Sequence, residues 1–361
     1  MPNFKGKNHS LEPGSQFPMA TKNPFLIYSG QLNKLFAKAK SEKNPALWLY
    51  MNDARVTLFM IQALCKIFDK GLHDPWFVYW HKATKRLEDG LGQIDLYDSF
   101  IKEYTKNKKP DPEITYYFQT KREKALKKFS KKINKEDYLE KGLKNFEADL
   151  KKQNIKWDIV TIQKIEHYIK TEISAMQAFA SYNNYTYEYL EDQVHELRRK
   201  LRWIGIYSQA LQGIIKLDES KQKYKWEAKY LTKEILNSKF NAIPKHKWEK
   251  HIEFEKKHLY ALNWFINELG ILKDKAIKVD LLARAFRKTE KSGREESIRK
   301  AQLTMGIRQS ETDILKRASY LSKEFFETNR IPQNLIYHSS ERVKSKKRPA
   351  TFKGGSRRSK K

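Results

Sequence analysis

Only one cysteine, Cys65, occurs among 361 residues. No disulfide can close within the chain, and no cysteine cluster with zinc-site spacing exists. A reducing compartment, the cytoplasm, is therefore expected. Long apolar runs are missing too: nowhere do the roughly 18 consecutive apolar residues of a membrane span occur. The first twenty residues are polar and proline-broken where a signal peptide needs an unbroken apolar stretch. Strand-like alternation is nearly absent, and no glycine-rich phosphate loop ending in Gly-Lys-Ser/Thr is found. Acid is scarce as well, with 43 Asp and Glu against 73 Lys and Arg, a formal net charge of +30.

What is present is enough to fold, since 39% of residues are hydrophobic and 13% aromatic. A charge so large repels itself in a compact chain, so a neutralising partner is expected: nucleic acid, an anionic membrane or an inorganic polyanion. The last 23 residues, 339–361, carry ten of the basic residues and one acid, Glu341, among Ser, Gly and Pro, and read as a disordered basic tail. Removing this +9 segment leaves +21 on the rest, so most of the excess belongs to the body.

Along that body the apolar period is helical, and proline mostly opens helices, as at Asn44-Pro45, Asp74-Pro75 and Asp111-Pro112. After Asn44, residues Leu47, Met51, Ala54, Leu58, Ile61, Cys65 and Phe68 alternate steps of four and three, the seam of a packed helix. Cys65 is thus expected in the core and not as a nucleophile. A second helix carries Phe77, Trp80, Leu87, Leu91, Ile94 and Ile101. Two further stretches, 113–153 with a break near 132–136 and 158–180, complete a four-helix unit. The seam then returns 143 positions later in Leu190, Val194, Leu197, Leu201, Ile204, Ser208 and Leu211. The second-helix series returns 178 positions later, and Leu91-Gly92 falls on Leu269-Gly270. An internal duplication with an insertion near 216–250 is the reading. The expected organisation is a flexible segment 1–30, a first helical-bundle repeat 31–181, a second repeat 182–330 and a basic tail 331–361.

In the second repeat His195, Arg198 and Arg202 follow at i, i+3 and i+7 beside the apolar seam, with Arg199 and Lys200 adjacent. Such a stripe on one helix is ordinarily a solvated face. Here it borders the core seam, and Arg55 stands in register with Arg198, so it can line a basic cleft for an extended anion.

Val194-His195-Glu196-Leu197-Arg198 with its basic continuation, and Leu269-Gly270-Ile271-Leu272-Lys273-Asp274, resemble the paired signatures of the conserved histidine α-helical domain (CHAD) family. Weaker first-repeat copies are Asn52-Asp53-Ala54-Arg55-Val56 and Leu91-Gly92-Gln93-Ile94-Asp95, and the resemblance covers about residues 44–327. It implies an all-α fold of two pseudo-symmetric four-helix bundles around a basic cavity that binds inorganic polyphosphate without catalysis. By that resemblance His195, Arg198, Arg199 and Arg202 in the second repeat, Arg55 in the first, and Lys273 are the phosphate-binding residues. Asp274, which orders neighbouring cations, and Asn52 support them. The chain departs from the family pattern at Asn52, where a histidine is expected, at Phe59, Met60 and Gln62, which replace basic positions, and at Asp95. Arg284, Arg287 and Lys288 are cations that can compensate.

Enzymatic readings find less support. Glu253-Phe254-Glu255-Lys256-Lys257 spells the Glu-x-Glu-x-Lys string of triphosphate tunnel enzymes, but it is read as helical, where i and i+2 diverge. Glu255 and His258 give one Glu-x-x-His pair where a bundle di-iron site needs two. His73-Asp74 precedes Pro75 and reads as a helix cap. No catalytic residue, metal or cofactor is assigned. The alternative is a nucleic-acid-binding or granule-associated scaffold protein, suggested by the basic tail and by aromatics among lysines at Lys223-Tyr224-Lys225-Trp226 and around Trp248. Expected partners are inorganic polyphosphate and, through the tail, nucleic acid, with no membrane span and a cytoplasmic location that extends to polyphosphate granules.

Overall fold

Asparagine or aspartate before proline starts four of the helices in the described residues. In the structure, a computed structural model that describes residues 23–106, 109–245 and 248–336, Asn44 accepts the Leu47 N–H at 3.0 Å and Asp111 accepts that of Glu113 at 2.7 Å. Asp74 accepts the Trp76 N–H at 3.1 Å. Asn23-Pro24 does the same further upstream, with Asn23 accepting from Phe25 at 3.0 Å. That start corrects the expected flexible segment 1–30: α1 (Pro24–Lys40) begins there and buries Phe25, Tyr28, Leu32 and Phe36. Residues 1–22 and 337–361, which hold the rest of that segment and nearly all of the expected tail, lie outside the described residues.

The seam from Leu47 to Phe68 is two helices instead of one. The chain forms α2 (Pro45–Met51), breaks at Asn52–Asp53, where Asp53 takes a left-handed φ of 58°, and resumes as α3 (Ala54–Lys66). Met51, expected in the core, is 71% exposed as a result. A π-turn over Ile67–Gly71 ends α3, and α4 (Trp76–Tyr104) returns against it. Next come α5 (Pro112–Lys135), the short α6 (Tyr138–Lys141) and α7 (Lys144–Lys152), and α8 (Ile159–Ser181). Asp158 caps α8 by accepting the Thr161 N–H at 2.8 Å.

A second π-turn, Leu190–His195, feeds α9 (Glu196–Ala210). The segment expected as an insertion is bracketed by two short parallel strands, β1 (Ile215–Asp218) and β2 (Ile252–Glu255), in register from Ile215 opposite Ile252 to Asp218 opposite Glu255. Their crossover carries α10 (Glu227–Tyr230) and α11 (Lys233–Leu236). Glu253 and Glu255 therefore sit on a strand, which corrects the helical reading of the Glu-x-Glu-x-Lys string, while Lys257 lies beyond it in a helix. The remaining helices are α12 (Lys256–Thr289), α13 (Arg294–Met305) and α14 (Glu311–Lys323), and a third π-turn, Glu324–Thr328, extends α14.

The fold is all-α apart from this strand pair, and its main core is a single cluster that draws residues from Phe25 through to Ile336. Helix α3 packs on α1, α4 and α9, and α9 in turn packs on α8 and α12, so the two halves meet along α3 and α9. A smaller core joins the far ends of α4 and α5 to α12 and α13 through Phe100, Tyr104, Phe118, Leu282 and Phe286. Residues 331–336, expected in the tail, belong to the body: Ile331 is fully buried, and Leu335 accepts the Glu255 N–H at 2.8 Å.

Candidate functional site

Burial of the apolar seams of α3 and α9 fixes where their polar neighbours point. Leu197, Leu201 and Ile204 are fully buried, and that rotation of α9 leaves Arg198 and Arg202 half-buried at the edge of the core. Arg198 lies across α12: its Nε donates to the Ile266 carbonyl at 3.0 Å, and a Cβ on Gly270 would stand 2.8 Å from its Nη2. Glycine is what allows this close approach. Lys273, three residues on along α12, has a side chain only 17% exposed and reaches Asp274 at 3.6 Å.

Arg202 reaches toward the first half. Its guanidinium carbon stands 5.2 Å from the centroid of Phe59 on α3, and that of Arg55 stands 5.5 Å from the same ring. Phe59 is thus shared by an arginine from each half. Among the described residues, neither Arg198 nor Arg202 forms an ion pair with a carboxylate.

Crowding is written into the proton affinities of this group. Burial, and then the charges of Arg198 and Arg55, bring Arg202 from its ordinary value to about 10. Burial also lowers Lys273, with Arg198 and Arg202 adding to the effect and Asp274 opposing it. Arg198 is lowered by burial alone, against Asp274. His195 is held below its usual range by burial and then by the charge of Lys273, despite a 2.6 Å contact between its Nδ1 and Glu191. Four cationic or protonatable groups are therefore gathered in partly desolvated surroundings. Like charges about 6 Å apart repel by about 3 kcal/mol at an effective dielectric of about 20.

The other expected residues fall differently. Arg199 points away, 62% exposed and ion-paired with Glu196, so it does not join the group. Arg55 is close to the group but already engaged: Nε donates to Glu88 at 2.7 Å and Nη1 to Asp95 at 2.8 Å. Asn52 is exposed and closes the end of α2, donating to the Trp48 carbonyl at 2.8 Å. Arg284, Arg287 and Arg294 line a separate groove of about 410 Å³ along α12 and α13, where Arg284 pairs with Asp280. Phe59 entered the sequence reading only as the replacement of a basic position, and Glu88 not at all; its place 178 positions before Ile266, in the series that carries Leu91-Gly92 onto Leu269-Gly270, is the signal that would have pointed to it.

The remaining motifs sit in packed surroundings. Cys65 is fully buried and its thiol is pushed well above its usual range, first by burial and then by Asp69. Glu255 and His258 bond to each other, Oε2 to Nδ1 at 2.6 Å, under the edges of Tyr224 and Trp226. Among the described residues no three His, Cys, Asp or Glu side chains are grouped to hold a metal, and no helix is long and apolar enough to cross a membrane. Tyr224 stacks on Trp226 at 4.8 Å, while Trp248 packs near Trp157 and donates to the Gln212 carbonyl at 2.8 Å. These rings are consumed in packing the crossover. Comparison with known proteins returns no matching family model, curated protein or solved structure.

Proposed function

We propose that this chain binds inorganic polyphosphate without catalysing a reaction, and that Arg198, Arg202 and Lys273, with His195 at their edge, are the groups that hold it. The observation that carries the reading is a set of half-buried cations with no carboxylate paired to either arginine. A protein that needed only stability would neutralise such a cluster or expose it. Phosphate oxygens suit it, because guanidinium offers parallel donors while Lys273 acts as a point charge. The CHAD resemblance supports the same ligand.

We also read the two halves as repeats. Arg55 lies on Gly92 as Arg198 lies on Gly270: a Cβ on Gly92 would meet Arg55 Nη2 at 2.9 Å. Two arginines related by one offset rest on two glycines related by the other.

The test is direct titration with long-chain polyphosphate, mixed-sequence DNA and RNA, each at a fixed, near-physiological salt concentration. The whole chain, the chain lacking residues 339–361, and the variant R198E/R202E are compared. Polyphosphate should bind tightest, survive loss of the tail and fail with the double variant. Tighter nucleic-acid binding, or loss of all binding with the tail, sides with the nucleic-acid alternative.

A further inference from the structure

The repeat geometry puts opposite chemistry at equivalent places. Around Arg55, Glu88 and Asp95 take two of its donor groups, at 2.7 and 2.8 Å. The residues 178 positions later are Ile266 and Lys273. Ile266 offers Arg198 only its backbone carbonyl, and Lys273 brings a cation where the first half has a carboxylate. Two acids in one half correspond to an apolar residue and a base in the other.

Neighbouring positions differ in the same direction. Asp95 also receives hydrogen bonds from Tyr50 at 3.3 Å and Ser99 at 3.2 Å, and Tyr50 goes on to Asp98, which Arg122 holds at 2.9 Å. In the first half, Arg55, Tyr50, Ser99 and Arg122 thus converge on the carboxylates of Asp95 and Asp98. On the contact between α3 and α9, the first half offers the neutral ring of Phe59 where the second offers Arg202 at the equivalent position, and the two touch.

We infer that the anion site is one-sided: Glu88 and Asp95 already occupy on Arg55 the place that a ligand phosphate takes on Arg198, so one short inorganic oligophosphate or chain end binds per chain. This rests on the polyphosphate reading above and narrows it. A strand laid symmetrically across both halves would meet the Asp95 carboxylate, 33% exposed, in the first. In the second it meets Arg198, Arg202 and Lys273, with Asp274 beside Lys273, Glu191 held by His195, and Glu88, paired to Arg55, within reach of Arg202.

Tripolyphosphate titrated calorimetrically into the full chain tests it. One equivalent should bind, at least as tightly as ATP, which carries the same triphosphate on a nucleoside. K273D, which gives the second half the carboxylate of the first, should weaken binding by about tenfold or more, the scale of a lost charged contact. E88I/D95K, which gives the first half the residues of the second, should raise the stoichiometry to two. Melting curves establish that each variant is folded, and if E88I/D95K does not fold then K273D decides. Two equivalents on the unaltered chain, undiminished binding by K273D, or a folded E88I/D95K that still takes one would overturn the one-sided site. Tighter ATP binding would overturn the inorganic assignment. Absence of any oligophosphate or polyphosphate binding defeats the parent reading instead.

Discussion

Of the gathered cations, His195 is the one whose pKa lies nearest neutrality, so pH acts on this surface through it first. Its folded pKa lies below the ordinary 6.5, first through burial and then through Lys273, with Glu191 opposing and Arg198 adding. Between the folded value and 6.5 the unfolded chain binds the extra proton, so His195 favours unfolding as pH falls through that window and ceases to do so above it. A bound polyanion reverses the local field and raises the pKa. Polyphosphate binding near pH 6 should therefore take up a proton, seen as a binding enthalpy that varies with the ionisation enthalpy of the buffer. H195Q should remove that dependence and leave binding above pH 8 nearly unchanged. Equal proton uptake by H195Q would assign the proton elsewhere.

Gly270 is the other residue on which the proposed site depends. An added methyl would stand 2.8 Å from Arg198 Nη2, the movable end of a long side chain, so the guanidinium gives way and the backbone does not. G270A should keep its melting temperature within a few degrees but lose about tenfold in polyphosphate affinity, on the scale of one displaced charged hydrogen bond. G92A, which disturbs Arg55 in the already neutralised half, should leave affinity unchanged. The reverse pattern would place the ligand in the first half.

At the scale of elements, the seams of α3, α4, α9 and the first half of α12 were legible because burial follows the helical period. The helix starts were legible because Asn or Asp with Pro is a local signal. Three features were not. The break between α2 and α3 turns on the left-handed φ of Asp53, which a seam count steps over, and so Met51 was misplaced. The strand pair is set by a long crossover and by the backbone bond from Glu255 to Leu335, neither of which has a local period. Helix α1 was missed because its Asn23-Pro24 start follows a polar stretch. The site was half legible: the stripe on α9, Lys273 and the i,i+3 spacing of Glu196 and Arg199 were visible, whereas the engagement of Arg55 by Glu88 and Asp95 joins residues 33 and 40 apart on two helices, which local spacing does not specify. Asp158 illustrates the local rule. D158A removes the acceptor for the Thr161 N–H and should lower the midpoint of denaturant unfolding without touching binding.

Across the whole molecule, the shared main core means that the two halves should unfold together, and that residues 331–336 are part of the fold. Ile331 is fully buried, so I331A should cost about 2–5 kcal/mol in a single cooperative transition, as for other aliphatic truncations to alanine. Separate transitions for the halves would contradict a shared core. The charge of +30 acts at this scale too. If the ligand is held by about three cations, the logarithm of the binding constant should fall with that of salt at a slope near −2, using the single-strand coefficient of about 0.7 per contact. On this account R198E/R202E should flatten that slope far more than removal of residues 339–361.

Locating the phosphorus atoms in a crystal of the full chain with tripolyphosphate is the most direct measurement. Phosphate oxygens within hydrogen-bond distance of Arg198, Arg202 and Lys273, with Arg55 still held by Glu88 and Asp95, are the predicted result. Phosphate on Arg55, or in the Arg284–Arg287–Arg294 groove with the α9–α12 cluster vacant, would contradict it.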